Sequence, residues 1–165
     1  MAISSVLQDT FKEELLGGYH SFNASGDTPA GSAFKLALYS SGSANLTTTT
    51  TQWVVASTPT ADPTNTYEVT TTGSGYTSGG NALTNTGVAK STVTSYTDFT
   101  DTSWTSASFT ARGCLLYNSS TISGLTTNAA VCSIDFGGDK TVSSGTFTIQ
   151  FPTNDSSSAI IRITS

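Results

Sequence analysis

A two-residue hydrophobic period recurs along most of this chain and favours extended strands. Phe147, Ile149 and Phe151 are separated by single polar residues, and Pro152 follows them. Successive side chains of a strand point to opposite faces of its sheet, so this spacing predicts a strand with one buried face. Residues 34–39 alternate in the same way. The chain is therefore expected to consist mainly of half-buried strands.

Turn-forming residues separate further short apolar segments. Residues 137–140 predict a turn, and the glycine-rich residues 73–80 predict a flexible loop. Strands separated by turns at this spacing indicate a sandwich or jelly roll. No repeat or linker divides the chain, so we interpret residues 1–165 as one β-sandwich domain with its β core in residues 31–165. The other predicted strands lie within residues 67–69, 88–99, 109–117, 131–136 and 159–163.

One segment near the N-terminus follows the helical period instead. Leu7, Phe11 and Leu15 recur every four residues and would form one apolar stripe on a helix over residues 4–18. Such a stripe either covers an end of the chain's own sheet or docks on a neighbouring subunit as an arm. The three side chains are therefore candidates for an interface.

The expected helix has sequence signals at both ends. Ser5 and Gln8 have the spacing of a capping box, in which two side chains satisfy free amides of the first turn. Gly17 and Gly18 would end the helix, because glycine readily adopts the left-handed conformation. The predicted fold is thus mainly β: an antiparallel β-sandwich or jelly-roll-like domain with one N-terminal α-helix.

The composition points to a surface of hydroxyl groups rather than charges. Thr (32) and Ser (26) supply about a third of the chain, whereas charged residues amount to 10%, against about 25% in an ordinary globular domain. Weak charge lowers the repulsion between copies and suits dense packing in an assembly. The six Lys and Arg are scattered and the net charge is −5, so we expect no nucleic-acid binding, which requires a clustered basic face.

The N-terminal sequence does not resemble a signal peptide. Asp9, Glu13 and Glu14 lie where a signal peptide has an uninterrupted apolar run. Nowhere does the chain approach the roughly 18 apolar residues of a membrane-spanning helix. We expect synthesis in a cytoplasm and no membrane partner.

Residues suited to catalysis or metal binding are sparse. His20 is the only histidine, no Gly-x-Ser-x-Gly motif accompanies it, and we interpret it as a capping or surface residue. The carboxylate pairs Asp98 with Asp101 and Asp135 with Asp139 lack the additional oxygen ligands that a calcium site requires. We therefore expect no catalytic, cofactor-binding or metal-binding residues, and no enzymatic activity.

Aromatic side chains could alternatively form a platform for sugars. We expect the tryptophans to fill the core, but a carbohydrate-binding module remains an alternative of a different class, because lectin domains also use jelly rolls. A sugar binder would show aromatic rings along an open groove. The candidate rings are Trp53, Tyr67, Tyr76, Tyr96 and Trp104.

The two cysteines would lie close together if residues 109–117 and 131–136 form a hairpin. Cys114 shares a strand face with Leu116, and Cys132 shares one with Ile134. We interpret both as small apolar core residues, with a disulfide formed after cell lysis as the alternative.

Arg112 lies within a predicted strand of a chain that otherwise avoids charge. If it is buried it requires a partner, because an unpaired buried charge is costly. Asp98, Asp101 and Asp135 are the nearest candidates, and Arg112 is also an interface candidate. The alternative is an exposed strand residue.

Six segments that span nearly the whole chain resemble a family of small virion structural proteins of tailed bacteriophages. The resemblance implies a particle component without enzymatic activity, and it carries over no functional residues because the shared motifs are structural. The segments are residues 11–18, 34–39, 75–80, 111–118, 134–140 and 147–152.

We accordingly expect a virion structural protein, preferably a capsid decoration (cement) protein on the major capsid lattice. An accessory tail or tail-fibre component is the alternative within the particle. The expected partners are other virion proteins, with many copies per particle, and the expected location is the virion.

Overall fold

The computed structural model of the chain describes residues 3–41, 46–54 and 67–165. Within these residues eight strands and one helix follow each other along the chain. They are β1 (Val6–Leu7), α1 (Asp9–Leu16), β2 (Phe34–Tyr39), β3 (Asn81–Leu83), β4 (Asn85–Ser91), β5 (Thr94–Phe99), β6 (Thr102–Asn118), β7 (Ala129–Ile149) and β8 (Ile161–Ile163).

Two antiparallel sheets face each other across the main core. The larger has the strand order β1-β7-β6-β2-β3 and the smaller has the order β4-β5-β8. Phe34 and Leu36 from the larger sheet and Phe99 and Ile161 from the smaller belong to the same buried cluster. The prediction of a mainly β, sandwich-like fold with one N-terminal helix is confirmed. No helix of the described chain is long and apolar enough to cross a membrane.

A long hairpin of β6 and β7 forms the main part of the larger sheet. The turn predicted at residues 137–140 is wrong, because β7 continues through it from Ala129 to Ile149. The surplus residues form a bulge instead: Ala111 pairs with Lys140 and Gly113 with Asp135, so the intervening residues of β7 oppose Arg112 alone. Gly137 accommodates the bulge with a φ of 72°, a value that favours glycine.

The helix is shorter than predicted. It spans Asp9–Leu16 rather than residues 4–18, and Leu7 lies in β1, where it pairs with Cys132 of β7. The capping box does not form, because Gln8 is the N-cap residue and makes no side-chain cap hydrogen bond. Pairing with a sheet edge satisfies the backbone of residues 6–7 without a helix.

The predicted C-terminal end of the helix is confirmed. Gly17 is the C-cap residue, and Gly18 follows with a φ of 76°. The Gly18 amide donates to the Leu15 carbonyl and the Tyr19 amide donates to the Glu14 carbonyl. These bonds satisfy carbonyls that the last turn of any helix leaves free.

Both faces of β2 are covered, so the prediction of a half-buried strand is wrong there. Leu36 and Leu38 face the main core, whereas Ala37 and Tyr39 belong to a second buried cluster. Segments outside the sheets cover this second face with Ile3, Leu46 and Trp53. Since loops rather than a strand supply the cover, the alternation of β2 could not reveal it.

Candidate functional site

An apolar cleft opens at the β1 edge of the larger sheet. Its volume is about 820 Å³. Both halves of β7 line it, together with β1 and the segment after β7. The apolar side chains of its walls are Val6, Leu7, Ile134, Phe136, Phe147, Ile149, Phe151, Pro152 and Ile160.

The walls of the cleft are an extension of the core that remains open to solvent. Ile134, Phe136, Phe147 and Ile149 are each only partly buried, and each packs against the main core. Exposed apolar surface gathered in one concave place is a common mark of a contact surface. The cleft therefore differs from the scattered exposed hydrophobic residues found on any protein.

Strand β7 presents an open edge to this cleft. Its inner side pairs with β6, but on its outer side β1 pairs only with Ser133 and Cys132. Among the described strands none pairs with the outer side of β7 beyond that point. Every residue from 147 to 152 lines the cleft. Three of these residues, 147–149, are consecutive in β7. Since successive side chains of a strand point in opposite directions, the backbone edge itself runs along the cleft at these residues.

Among the described residues, one charged side chain lines the cleft. Lys140 is exposed, and within the described part of the chain no carboxylate lies within ion-pair distance of it. The next residues of the edge, 141–149, carry neither a charge nor a proline. The cleft thus combines apolar walls, an uncharged strand edge and a single cation.

The cysteines lie at the bottom of this cleft. Cys114 pairs with Ile134 and Cys132 pairs with Leu116, so the two segments do form the hairpin that places the cysteines close together. Both cysteines are free, buried thiols, as the interpretation as core residues predicted. Burial raises the pKa of Cys114 well above its usual value and the pKa of Cys132 to about 12.

The three residues predicted to form one helical stripe occupy different places. Leu7 lines the cleft from β1, and Leu15 is partly buried against the main core. Phe11 is 1% exposed and belongs to the main core. The helix therefore packs on its own domain through Phe11, whereas the interface roles of Leu7, Phe11 and Leu15 remain predictions.

Arg112 pairs with one of the three carboxylates considered from the sequence. Its Nε donates to Asp135 Oδ1 at 2.8 Å and its Nη2 donates to Oδ2 at 3.2 Å. This two-bond pair raises the pKa of Arg112 and lowers the pKa of Asp135. Asp135 Oδ1 also accepts a bond from the Gly137 amide, so the pair fixes the β7 bulge. An interface role for Arg112 remains a prediction.

His20 is a buried residue, so its interpretation as a surface or capping residue is wrong. Asn118 Nδ2 donates to its Nδ1 at 3.0 Å, and its Nε2 donates to Glu14 Oε2 at 3.0 Å. Its ring contacts the rings of Phe11 and Phe34. Burial lowers the pKa of His20, against an opposing effect of Glu14. The sequence did not predict this burial, because α1, the segment that contains His20 and β6 meet only in the folded chain.

The carboxylates considered as metal ligands bind backbone amides instead. Asp98 is fully buried, with Oδ1 accepting from the Phe99 amide and Oδ2 accepting from the Ile160 amide. Asp101 accepts a bond from the Phe151 amide. Both residues thereby tie the last segment of the chain to the end of β5. The described residues contain no cluster of three or more His, Cys, Asp or Glu that could hold a metal ion.

Most of the aromatic side chains considered for sugar binding are in the core. Trp53 is 8% exposed and stacks on Tyr117, and Trp104 is 4% exposed. Tyr76 is 3% exposed. Only Tyr67 and Tyr96 are partly accessible. The tryptophans fill the core as predicted.

Glu68 is a structural centre that the sequence did not reveal. Its carboxylate accepts bonds from the Tyr76 hydroxyl at 2.7 Å, the Ser78 hydroxyl at 3.1 Å and the Gly79 amide at 2.6 Å. These bonds fix the glycine-rich residues predicted to be a flexible loop. A lone Glu between a tyrosine and a valine carries no local signal of this role.

No family model, curated protein or solved structure matches the chain.

Proposed function

We propose that this chain is a non-enzymatic structural protein of a tailed-bacteriophage particle, and within it a capsid decoration protein that binds the major capsid lattice. The observation that carries the proposal is the apolar cleft beside the open edge of β7. It is a surface suited to contact with another protein. The resemblance of six segments to small virion proteins directs the proposal to the phage particle.

The polar side chains support a structural role because they serve the fold. Arg112 pairs with Asp135, Glu68 binds the glycine-rich segment, and Asp98 binds two backbone amides. His20 has both ring nitrogens engaged by Glu14 and Asn118. Groups held in this way are poorly placed to attack or protonate a substrate.

The surface chemistry fits repeated packing at close range. With charged residues at 10% of the chain, neighbouring copies on a lattice repel each other weakly. Hydroxyl groups supply donors and acceptors without the desolvation cost of burying a charge. Many copies could therefore lie side by side on a particle.

The test is the composition and structure of purified particles. Mass spectrometry of virions should detect the chain in many copies, and a particle reconstruction should place it on the outer capsid. Addition of the purified protein to tail-free capsids that lack it should restore the same density. Absence of the chain from particles would refute a virion role, and density on the tail alone would assign it to the tail instead.

A glycan array tests the alternative class of protein, a carbohydrate-binding module. A carbohydrate-binding module would retain defined oligosaccharides, and substitution of Tyr67 and Tyr96 would abolish the retention. We expect no selective retention.

A further inference from the structure

We infer that the cleft receives an extended segment of a partner protein, which adds a strand to the open edge of β7 and places a carboxylate against Lys140. The inference deepens the proposed function, since it names the surface through which the chain would join a particle. It rests on three features of the described residues: a strand edge that pairs with none of them, apolar walls and a cation that none of their carboxylates pairs with.

The backbone edge selects an extended polypeptide as the occupant. An unpaired strand offers amides and carbonyls at the spacing of another strand, and an added strand satisfies them. Proteins usually protect such edges with charges, proline or bulges. Residues 141–149 contain neither a charge nor a proline, and the bulge that β7 itself carries among them lies between Val142 and Gly145, outside the cleft-lining residues 147–149. A strand edge of this kind can pair with other chains in solution unless a partner covers it.

The apolar walls determine which kind of side chain the added strand would bury. The side chains of Ile134, Phe136, Phe147 and Ile149 enclose the space next to the edge. Alternate side chains of an added strand would point into this space and the others away from it. Apolar residues at every second position of the segment would therefore be buried, and polar residues between them would remain in solvent.

Lys140 selects the charge of the segment and argues against a second copy. It has no carboxylate partner within the described residues, so an acidic group on the segment would complement it. If two copies paired symmetrically through residues 141–149, Lys140 would face Gln150 of the second copy, which carries no charge. A separate segment with an acidic residue satisfies the cleft more completely.

The test uses a fluorescent peptide that alternates valine and threonine and ends in a glutamate amide, together with a twin that ends in lysine. Fluorescence anisotropy should show saturable binding, tighter for the acidic peptide by roughly fivefold, the effect of a partly exposed ion pair. Lys140→Glu should reverse this preference. Methylation of the peptide's backbone nitrogens should abolish binding, because it removes the bonds to the strand edge.

A matched pair of variants tests the apolar walls. Ile149→Thr should weaken binding of the acidic peptide at least tenfold. Ile163→Thr makes the same change at a residue that is 58% exposed on β8, away from the cleft, and should leave binding unchanged. Thermal unfolding of each variant verifies that the domain remains folded at the assay temperature.

Several results would overturn the inference. One is the absence of saturable peptide binding. Another is peptide binding that changes neither with the charge of residue 140 nor with methylation of the peptide backbone. Saturable binding of a fluorescent fatty acid without peptide binding would assign the cleft to a lipid. A dimer in analytical ultracentrifugation that Ile149→Thr dissociates would assign it to a second copy.

Particle assays separate this inference from the proposed function. If Lys140→Glu and Ile149→Thr proteins enter particles normally, the virion role stands and the cleft is not the contact. If Lys140→Glu reverses the peptide preference but the chain is absent from particles, the inference about the cleft stands. The proposed virion role is then refuted.

Discussion

His20 shows how burial changes the behaviour of a single residue. Its ring lies among phenylalanine rings, and both nitrogens are bonded within the domain. Desolvation disfavours the charged ring, so the pKa of His20 is lowered from 6.5 in the folded state. The folded chain therefore binds fewer protons than the unfolded chain just below this pH.

We predict that the free energy of unfolding decreases as the pH falls from about 6.5. The contribution of neutral His20 is fully present above the unfolded pKa and is lost toward the lower, folded pKa. Urea unfolding at a series of pH values measures it. His20→Gln, which cannot titrate, should flatten the dependence in this range, and an unchanged slope in that variant would contradict the assignment.

The two thiols illustrate a second effect of burial. The thiolate is the reactive form of cysteine, and burial raises the pKa of both Cys114 and Cys132. We predict that iodoacetamide at neutral pH leaves the folded protein unmodified and alkylates both residues in urea. Mass spectrometry counts the additions, and rapid modification of the native protein would show that the cleft exposes a thiol.

At the scale of elements, the N-terminal helix depends on the sheets beneath it. An isolated helix of 8 residues is not stable in water, and Phe11 anchors this one in the main core. The neighbouring Leu16 is 91% exposed on the same helix. The two residues therefore form a natural test and control.

We predict that Phe11→Ala lowers the free energy of unfolding by about 3–5 kcal/mol, the usual range for a buried phenylalanine. Leu16→Ala should change it by less than about 0.5 kcal/mol, because the side chain is in solvent. Denaturant unfolding of both variants measures the difference. Equal effects would mean that the helix docks elsewhere than on its own core.

At the scale of the whole molecule, stability comes from packing and hydrogen bonds within the chain. No metal-binding cluster lies among the described residues, and the carboxylates at Asp98 and Asp101 bind amides. Binding energy of a metal would otherwise add to the stability of the fold. The domain should therefore fold without an added ion.

We predict the same thermal midpoint with and without EDTA. Differential scanning calorimetry at one protein concentration makes the comparison, with added calcium as the converse test. A midpoint that falls in EDTA and recovers with calcium would show that the aspartates hold an ion.

Local patterns determined the elements of this protein wherever one periodicity dominates. The two-residue period of residues 34–39 specified β2, and Gly17 and Gly18 specified the end of α1. Charge scarcity limited the partners of Arg112 to a few carboxylates, and the structure pairs it with one of them, Asp135. These conclusions depend on nearest neighbours or on simple charge balance.

Only the tertiary structure decided features that join distant parts of the chain. Residues 137–140 have turn composition, but pairing with β6 on both sides of them makes a bulge within one long strand. Leu7 is spaced from Phe11 and Leu15 as in a helix, but pairing with the edge of β7 places it in β1. The cleft exists because residues from both halves of β7 line the same space. Local sequence could not specify these outcomes, since the competing interactions come from strands far away along the chain.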